Sequence, residues 1–153
     1  MCSVPRSTSC SDAVKRLRLT ILSISLILGM ATARGDVVAV VSDRSTVVSL
    51  SKNQLVDIFL GRATRFPDGN QAVPIDQAEG TAARNEFYTL FAGKTAAQIK
   101  AHWSKIIFTG RGQPPRAVSN SDEIKKLLAS NLNGIGYIEH SAVDDSVKVV
   151  RIE

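Results

Sequence analysis

A stretch of fifteen residues without a charge, from Leu19 to Ala33, divides this sequence into two unequal parts. Basic side chains precede it, and small residues at the spacing that signal peptidase needs, Ala31-Thr32-Ala33, end it. A helix needs about 20 residues to cross the hydrocarbon core of a bilayer, so the stretch favours a cleaved leader over a permanent anchor. We therefore predict a signal peptide at 1–33 and one domain at 34–153, periplasmic or secreted. Membrane attachment is expected only if the leader stays uncleaved.

The charge balance changes once this leader is set aside. The whole chain has 19 Lys and Arg against 14 Asp and Glu, which gives a net charge of +5 and an isoelectric point near 9.5. Residues 34–153 keep 15 basic and 13 acidic side chains, a net charge of +2. This part has no strongly basic helix and no alternation of basic and aromatic residues. We therefore expect no nucleic-acid partner.

Both cysteines, Cys2 and Cys10, lie in the leader, so the predicted domain has no disulfide and no thiol chemistry. It must be held together by its hydrophobic core, which is feasible because a domain of this size buries about two-thirds of its unfolded surface. No cofactor motif is present, and the two histidines, His102 and His140, have no cysteine or second histidine at ligand spacing. We expect neither a cofactor nor a metal site.

The clearest local signals mark helix starts. Ser51 and Gln54 have the spacing of a capping box, and Gly61 can end a short helix at about 52–60. Thr95 and Gln98 have the same spacing before a second apolar face that includes Ile107. Two further helices are predicted, one from 83 to 93 and one from 121 to about 131. The apolar face of the first of these includes Leu90. We expect strands at 37–42, 72–75, 135–139 and 146–150, and an irregular, mobile loop at 109–118.

The resulting order, β-α-β-α-α-α-β-β, has strands that are apolar runs more than strict alternations. Strands of this kind are typical of a sheet that is covered by helices. We therefore predict an α/β fold, in which one mixed sheet with flanking helices forms a single lobe.

The junction between the second strand and the next helix, at 75–84, is the most informative place for chemistry. A helix that begins at Gly80-Thr81 presents free backbone amides and the positive end of its dipole, and Arg84 lies one turn further on. Such a junction can hold a phosphate, a sulfate or a carboxylate. The ordinary alternative is that Thr81 is only a helix cap and that Arg84 pairs with a surface carboxylate.

Five segments of the chain carry a family resemblance. They are LSKNQLVDIFLG at 50–61, FPDG at 66–69, the D-Q-x-x-G-T-x-x-R-x-x-F-Y run at 76–88, W-x-x-x-x-F-T-G-x-G-x-P-P at 103–115 and GIGYI at 134–138. In this order and spacing they resemble short exported proteins that are related to the phosphate-binding component of ABC transporters. The resemblance implies a fold like that of the type II periplasmic binding proteins.

The resemblance also implies a ligand and a set of site residues. The ligand is phosphate or a similar oxyanion, held by Gly80 and Thr81, which match the Ser-Gly-Thr loop of that family. The partner is the permease of an ABC transporter or another envelope protein. With the junction and the hydroxyls that follow the first strand included, the candidate ligand-binding residues are Gly80, Thr81, Arg84, Asp76, Gln77 and Ser42.

Two alternatives to a binding protein remain open from the sequence. Glu79 stands where the family loop has a serine, and the chain has residues for about one of the family's two lobes. These features favour a single-lobe interaction or sensory module that has lost tight binding and docks a partner through Arg111 to Arg116. An enzyme with Asp76 or Glu79 as general base is the other class, but no nucleophile motif supports it. We therefore predict no catalytic residue.

Overall fold

A computed structural model of the chain describes residues 36–153. The predicted signal peptide and its cleavage site lie outside these residues. None of the helices in the described part is long and apolar enough to span a bilayer.

Seven strands and four α-helices form this part of the chain. The strands are β1 Val37–Ser42, β2 Ser49–Leu50, β3 Val73–Gln77, β4 Arg116–Val118, β5 Gly134–Glu139, β6 Val147–Val149 and β7 Arg151–Ile152. The α-helices are α1 Lys52–Phe59, α2 Ala82–Phe87, α3 Ala96–Phe108 and α4 Ser121–Ser130. A π-helical turn, Tyr88–Ala92, continues α2, and a 3-10 turn, His140–Ala142, follows β5.

Five of the strands form one mixed sheet in the order β4-β3-β5-β1-β6 among residues 36–153. Strand β3 runs parallel to both β4 and β5, whereas β1 runs antiparallel to β5 and β6. The short strands β2 and β7 form a separate parallel pair. Because β3, β4 and β5 are parallel, their carboxyl ends meet at one edge of the sheet.

The two faces of the sheet pack against different helices, because alternate residues of a strand point to opposite sides. On β5, Tyr137 belongs to a core cluster with aromatic residues of α1 and α2, while Ile138 belongs to a second cluster with apolar residues of α4. The predicted mixed α/β fold with flanking helices is confirmed.

Local capping signals predicted two helix starts correctly. Both capping boxes are present, Ser51 with Gln54 and Thr95 with Gln98. Gly61 has a φ of +69°, as expected for the residue that ends α1, and a Cβ there would lie 2.8 Å from the indole ring of Trp103. The turn therefore needs glycine both for its conformation and for its close approach to α3.

Three predictions from the sequence between residues 83 and 118 are wrong. Leu90 is 50% exposed because the helix widens into the π-helical turn after Phe87, which takes later side chains out of the 3.6-residue register. Ile107 is 48% exposed, since the buried face of α3 is formed by Ile99 and Trp103. The loop at 109–118 is not irregular throughout, because its last three residues form β4 and pair with β3.

A surface cluster around Asp144 should contribute to stability in a pH-dependent way. The ammonium group of Lys125 lies 2.8 Å from this carboxylate and donates to it, and Ser146 donates as well, which lowers the pKa of Asp144 from 3.8 to about 2. Since the folded-state pKa lies below the unfolded value, the contribution is present above about pH 4 and is lost as the pH falls toward about 2. We expect the melting temperature of Asp144→Asn to fall less over this interval than that of the unsubstituted protein. Asp145→Asn is the matched control and should keep the original slope; identical slopes for all three proteins would contradict the assignment.

Candidate functional site

The edge where β3, β4 and β5 end carries the candidate site. Strand β3 leads through a turn at 78–81 into α2, and β4 leads through Ser119 and Asn120 into α4. Gly80 has a φ of +91°, a conformation that side chains other than glycine rarely adopt. The amide of Ala78 donates to the carbonyl of Val118 at 2.8 Å, which ties the two connections together. Both helices therefore begin beside each other at the sheet edge.

Each helix start has a side-chain cap and two free amides. The hydroxyl of Thr81 accepts from the amide of Arg84, and the side chain of Asn120 accepts from the amide of Glu123. Within residues 36–153, no hydrogen bond is donated by the first two amides of either helix, those of Ala82, Ala83, Ser121 and Asp122. These donors and the positive helix ends favour a negatively charged ligand.

All four residues line one cavity of about 360 Å³, the strand-end cavity, which Gln77, Thr81, Ser119, Asn120 and Glu139 also line. Its ionisable groups are two carboxylates, Asp122 and Glu139, and Glu139 accepts a hydrogen bond from the hydroxyl of Ser121. A fully deprotonated anion would be repelled by these carboxylates. The cavity is chemically suited to an anion that also has a proton to donate.

Asp76 precedes the lining residue Gln77 on β3, and its carboxylate accepts four hydrogen bonds. Its side chain is 4% exposed and accepts from Arg84 Nε at 3.2 Å, from the hydroxyl of Tyr88 at 2.9 Å, from the hydroxyl of Tyr137 and from the amide of Gln77 at 2.8 Å. The side chain of Arg84 is itself 11% exposed. We call these groups the Asp76 network. Arg84 therefore pairs with a carboxylate, as the ordinary alternative expected, but with a buried one.

The protonation states of the network follow from its burial. Burial, together with the charge of Asp76, raises the pKa of Tyr88 and the pKa of Tyr137, so both hydroxyls stay protonated and donate to the carboxylate. Burial alone would lower the pKa of Arg84, but the charge of Asp76 raises it, so the guanidinium remains charged. The network holds one negative and one positive charge.

A second cavity, of about 280 Å³, borders Asp76 and Arg84. It is lined by Asp76, Arg84 and Trp103 together with Glu79 and Lys100, whose charged groups are 3.5 Å apart. Each of its two cationic side chains is paired with a carboxylate, Arg84 with Asp76 and Lys100 with Glu79. This pairing weakens the attraction of the cavity for an anion.

The six predicted site residues are not all brought together. Gln77 and Thr81 line the strand-end cavity and Gly80 forms the turn beside it, whereas Asp76 and Arg84 do not line it and lie in the wall of the second cavity. Ser42 lies at the opposite edge of the sheet, because β1 is antiparallel to β5 and begins opposite Glu139. It is fully buried, and its hydroxyl donates to Asp43. A direct part in ligand binding for these residues stays a prediction.

The sequence reasoning missed the half of the site that α4 supplies. Ser119, Asn120 and Asp122 come from the connection after β4, and β4 itself was predicted as loop. The polar run Ser-Asn-Ser-Asp before an apolar helix pattern was the available signal, since such runs are typical of helix caps at strand ends.

Neither His102 nor His140 lines the strand-end cavity. His102 is half-buried, and its Nε2 lies 2.9 Å from the carbonyl oxygen of Leu60, which links α3 to the end of α1. Within residues 36–153, no group of three or more His, Cys, Asp or Glu side chains has a geometry that could hold a metal ion.

The fold of this chain is similar to that of several solved structures. No protein-family model matches the chain, and no curated protein matches it. Among solved structures, it is similar to an ABC-type phosphate transport receptor from Vibrio cholerae (21% identity, TM-score 0.59) and to a phosphate ABC transporter substrate-binding protein with bound phosphate from Clostridium perfringens (24%, 0.59). It is also similar to PstS from Borrelia burgdorferi (11%, 0.58).

Each similarity covers 76% of this chain but only 45%, 44% and 47% of the respective structures, so the chain spans less than half of their length. At these identities the comparisons show the fold alone. The predicted resemblance to a single lobe of a phosphate-binding protein is confirmed at that level.

Proposed function

We propose that this protein is a non-catalytic solute-binding module that holds a protonated oxyanion, such as hydrogen phosphate, in the strand-end cavity. One observation carries the proposal: the four free amides of two helix starts, at Ala82, Ala83, Ser121 and Asp122, border the same cavity. Ligands of open α/β sheets bind outside the carboxyl ends of the strands, which is where this cavity lies. The solved structures named above include a phosphate transport receptor and a protein with bound phosphate, which supports the same ligand class.

The two carboxylates of the cavity define which oxyanions fit. Hydrogen phosphate and hydrogen arsenate have a proton at neutral pH and can donate it to Glu139 or Asp122 while accepting from the amides. Sulfate has no such proton, so a carboxylate that helps to bind phosphate repels sulfate. The cavity should therefore bind phosphate more tightly than sulfate, although the two ions are similar in size, because only phosphate has a proton to donate.

We also propose that residues 1–33 direct export and that the module acts outside the cytoplasm, in contact with an ABC transporter permease or another envelope protein. The basic, apolar and small-residue sequence of the leader supports the proposal. Mass spectrometry of the exported protein would contradict cleavage if it found residues 1–33 still attached.

Calorimetry of the purified protein tests the ligand. We expect saturable heat with phosphate and with arsenate at or below millimolar concentration, and binding of sulfate at least about tenfold weaker, because one charge-assisted hydrogen bond contributes about 1.5–3 kcal/mol. Equal binding of sulfate and phosphate would contradict the role of the carboxylates. No heat with any of the three anions would remove the binding proposal.

Ala82→Pro tests the site with little change to the fold. Ala82 is the first residue of α2, a position that proline favours because its amide has no partner in the helix, and Thr81 already has the extended backbone that proline requires before it. The substitution removes one of the four free amides, so we expect phosphate affinity to fall about tenfold or more while the free energy of unfolding changes little.

Ala96→Pro is the matched control for this variant. Ala96 is the first residue of α3, it follows Thr95 with a similar extended backbone, and it does not line the strand-end cavity. We expect it to keep both stability and phosphate affinity. An Ala82→Pro variant that folds and binds phosphate as well as the Ala96→Pro variant would contradict the proposed site.

A further inference from the structure

A cavity of about 460 Å³ lies between the turn after α1 and the end of α3, and it shares no lining residue with the strand-end cavity. Its volume is within the range of small-molecule sites in proteins, about 300–1,000 Å³. Apolar side chains, among them Ile58, Leu60, Trp103 and Ile106, line it, and two arginines, Arg62 and Arg111, lie beside them. We call it the indole cavity.

The walls of the indole cavity are fixed by backbone hydrogen bonds. The amides of Arg62 and Ala63 donate to the carbonyl of Asp57 at 2.8 and 3.1 Å, which folds the turn after α1 back on the helix. On the other side, the amide of Arg111 donates to the carbonyl of Ile106 at 3.1 Å. The turn at Gly61 rests on the indole ring of Trp103. The cavity is therefore preformed, which lowers the entropic cost of binding a ligand.

Trp103, which lines this cavity, has an unsatisfied hydrogen-bond donor. The residue is 6% exposed, and its indole Nε1 is buried without a hydrogen-bond partner among the described residues. A buried donor without an acceptor destabilises a protein, and most buried donors in native structures have a partner.

The two arginines differ in their partners. Arg62 lies 3.4 Å from the carboxylate of Asp57, whereas Arg111 forms no salt bridge within residues 36–153. An unpaired guanidinium beside an apolar cavity favours a carboxylate, which it can bind through two parallel hydrogen bonds. An inorganic oxyanion would gain nothing from the apolar walls, so the walls favour an organic anion.

We propose that the indole cavity binds a small organic carboxylate with a flat apolar body, which packs against Trp103 and Ile106 while its carboxylate pairs with Arg111. This site is separate from the oxyanion site, so either proposal can fail without the other.

Trp103 is the single tryptophan of the chain and lines both the indole cavity and the second cavity beside Arg84, so its fluorescence reports binding at either place. We expect phenylacetate to change this fluorescence in a saturable way at or below millimolar concentration. Phenylacetamide, which has the same shape without the charge, should bind about tenfold more weakly because it cannot form the charge-assisted pair. Absence of a saturable change with phenylacetate at millimolar concentration would overturn the proposal.

Arg111→Gln assigns the charge contact. Arg111 is exposed, so the variant should fold normally, and we expect its affinity for phenylacetate to fall about tenfold and to approach that for phenylacetamide. Arg151→Gln, an equally exposed arginine on β7, is the matched control and should bind phenylacetate as the unsubstituted protein does. Unchanged phenylacetate affinity of Arg111→Gln would overturn the assigned contact.

Two further measurements locate the probe. Amide chemical-shift changes on addition of phenylacetate should concentrate at 61–64 and 111–113, and excess phosphate should not displace the probe. Changes concentrated at Ala82 and Ser121, or displacement by phosphate, would place phenylacetate in the strand-end cavity and overturn the proposal.

Discussion

Replacing Asp76 by asparagine should lower the free energy of unfolding by about 3–5 kcal/mol, because it leaves the guanidinium of Arg84 charged and buried without its counter-charge. Asparagine has nearly the shape of aspartate, but it cannot accept from Arg84, Tyr88 and Tyr137 with a full negative charge. The loss of unfolding free energy is measured by unfolding in guanidinium chloride, from the midpoint and the slope of the transition.

Two controls separate the Asp76 network from a general effect of charge. Asp145→Asn removes an exposed carboxylate and should change stability by less than about 0.5 kcal/mol. Arg84→Met added to Asp76→Asn removes the unpaired charge, so the double variant should regain part of the lost stability. A loss below about 1 kcal/mol for Asp76→Asn, or an additive double variant, would contradict the network's role.

Gly136→Ala should also destabilise the protein, by about 1–3 kcal/mol, through overpacking on the α4 face of the sheet. A Cβ at Gly136 would lie 2.5 Å from Cγ2 of Ile124, a contact that real structures do not tolerate, and Ile124 is fully buried. Thermal unfolding would show the effect as a lower melting temperature.

A matched glycine and a compensating variant sharpen this test. Gly112→Ala should be tolerated, since its Cβ would lie at an ordinary 3.5 Å from Ile106. Ile124→Ala alone should cost about 2–5 kcal/mol, but combined with Gly136→Ala it should cost less than the sum, because the new methyl group occupies part of the space that isoleucine leaves. Strict additivity would show that the two positions do not compete for that space.

The sequence correctly predicted the helices and strands that are determined by interactions between neighbouring residues. The capping boxes at Ser51 and Thr95 satisfy backbone amides within one turn, so three or four neighbouring residues are enough to recognise each helix start. Strand β1 is a run of β-branched residues, and its bounds, Val37–Ser42, match the prediction. Strand β4 was missed because it has three residues, follows two prolines, and exists through pairing with β3.

The candidate site was predicted in part for the same reason. The free amides of Ala82 and Ala83, just after Gly80-Thr81, follow from a strand-to-helix junction that nearby residues define. The pairing of Arg84 with Asp76 cannot be predicted in this way, because Asp76 is held in place by a hydrogen bond from Tyr137, which lies 61 residues further along the chain. Only the three-dimensional structure shows that the hydroxyl of Tyr137, the carboxylate of Asp76 and the guanidinium of Arg84 meet.

The position of β1 in the sheet affects when this chain can fold. Its pairing partners are β5 and β6, so Val37 lies opposite Glu139 and Ser42 opposite Val147, and each contact closes a loop of about one hundred residues. Proteins dominated by such distant contacts fold slowly. A growing chain cannot complete the pairing of β1 until β5 and β6, about one hundred residues later, have been synthesised. This delay suits the proposed export, because a protein that must cross a membrane unfolded benefits when β1 cannot pair before β5 and β6 have been made.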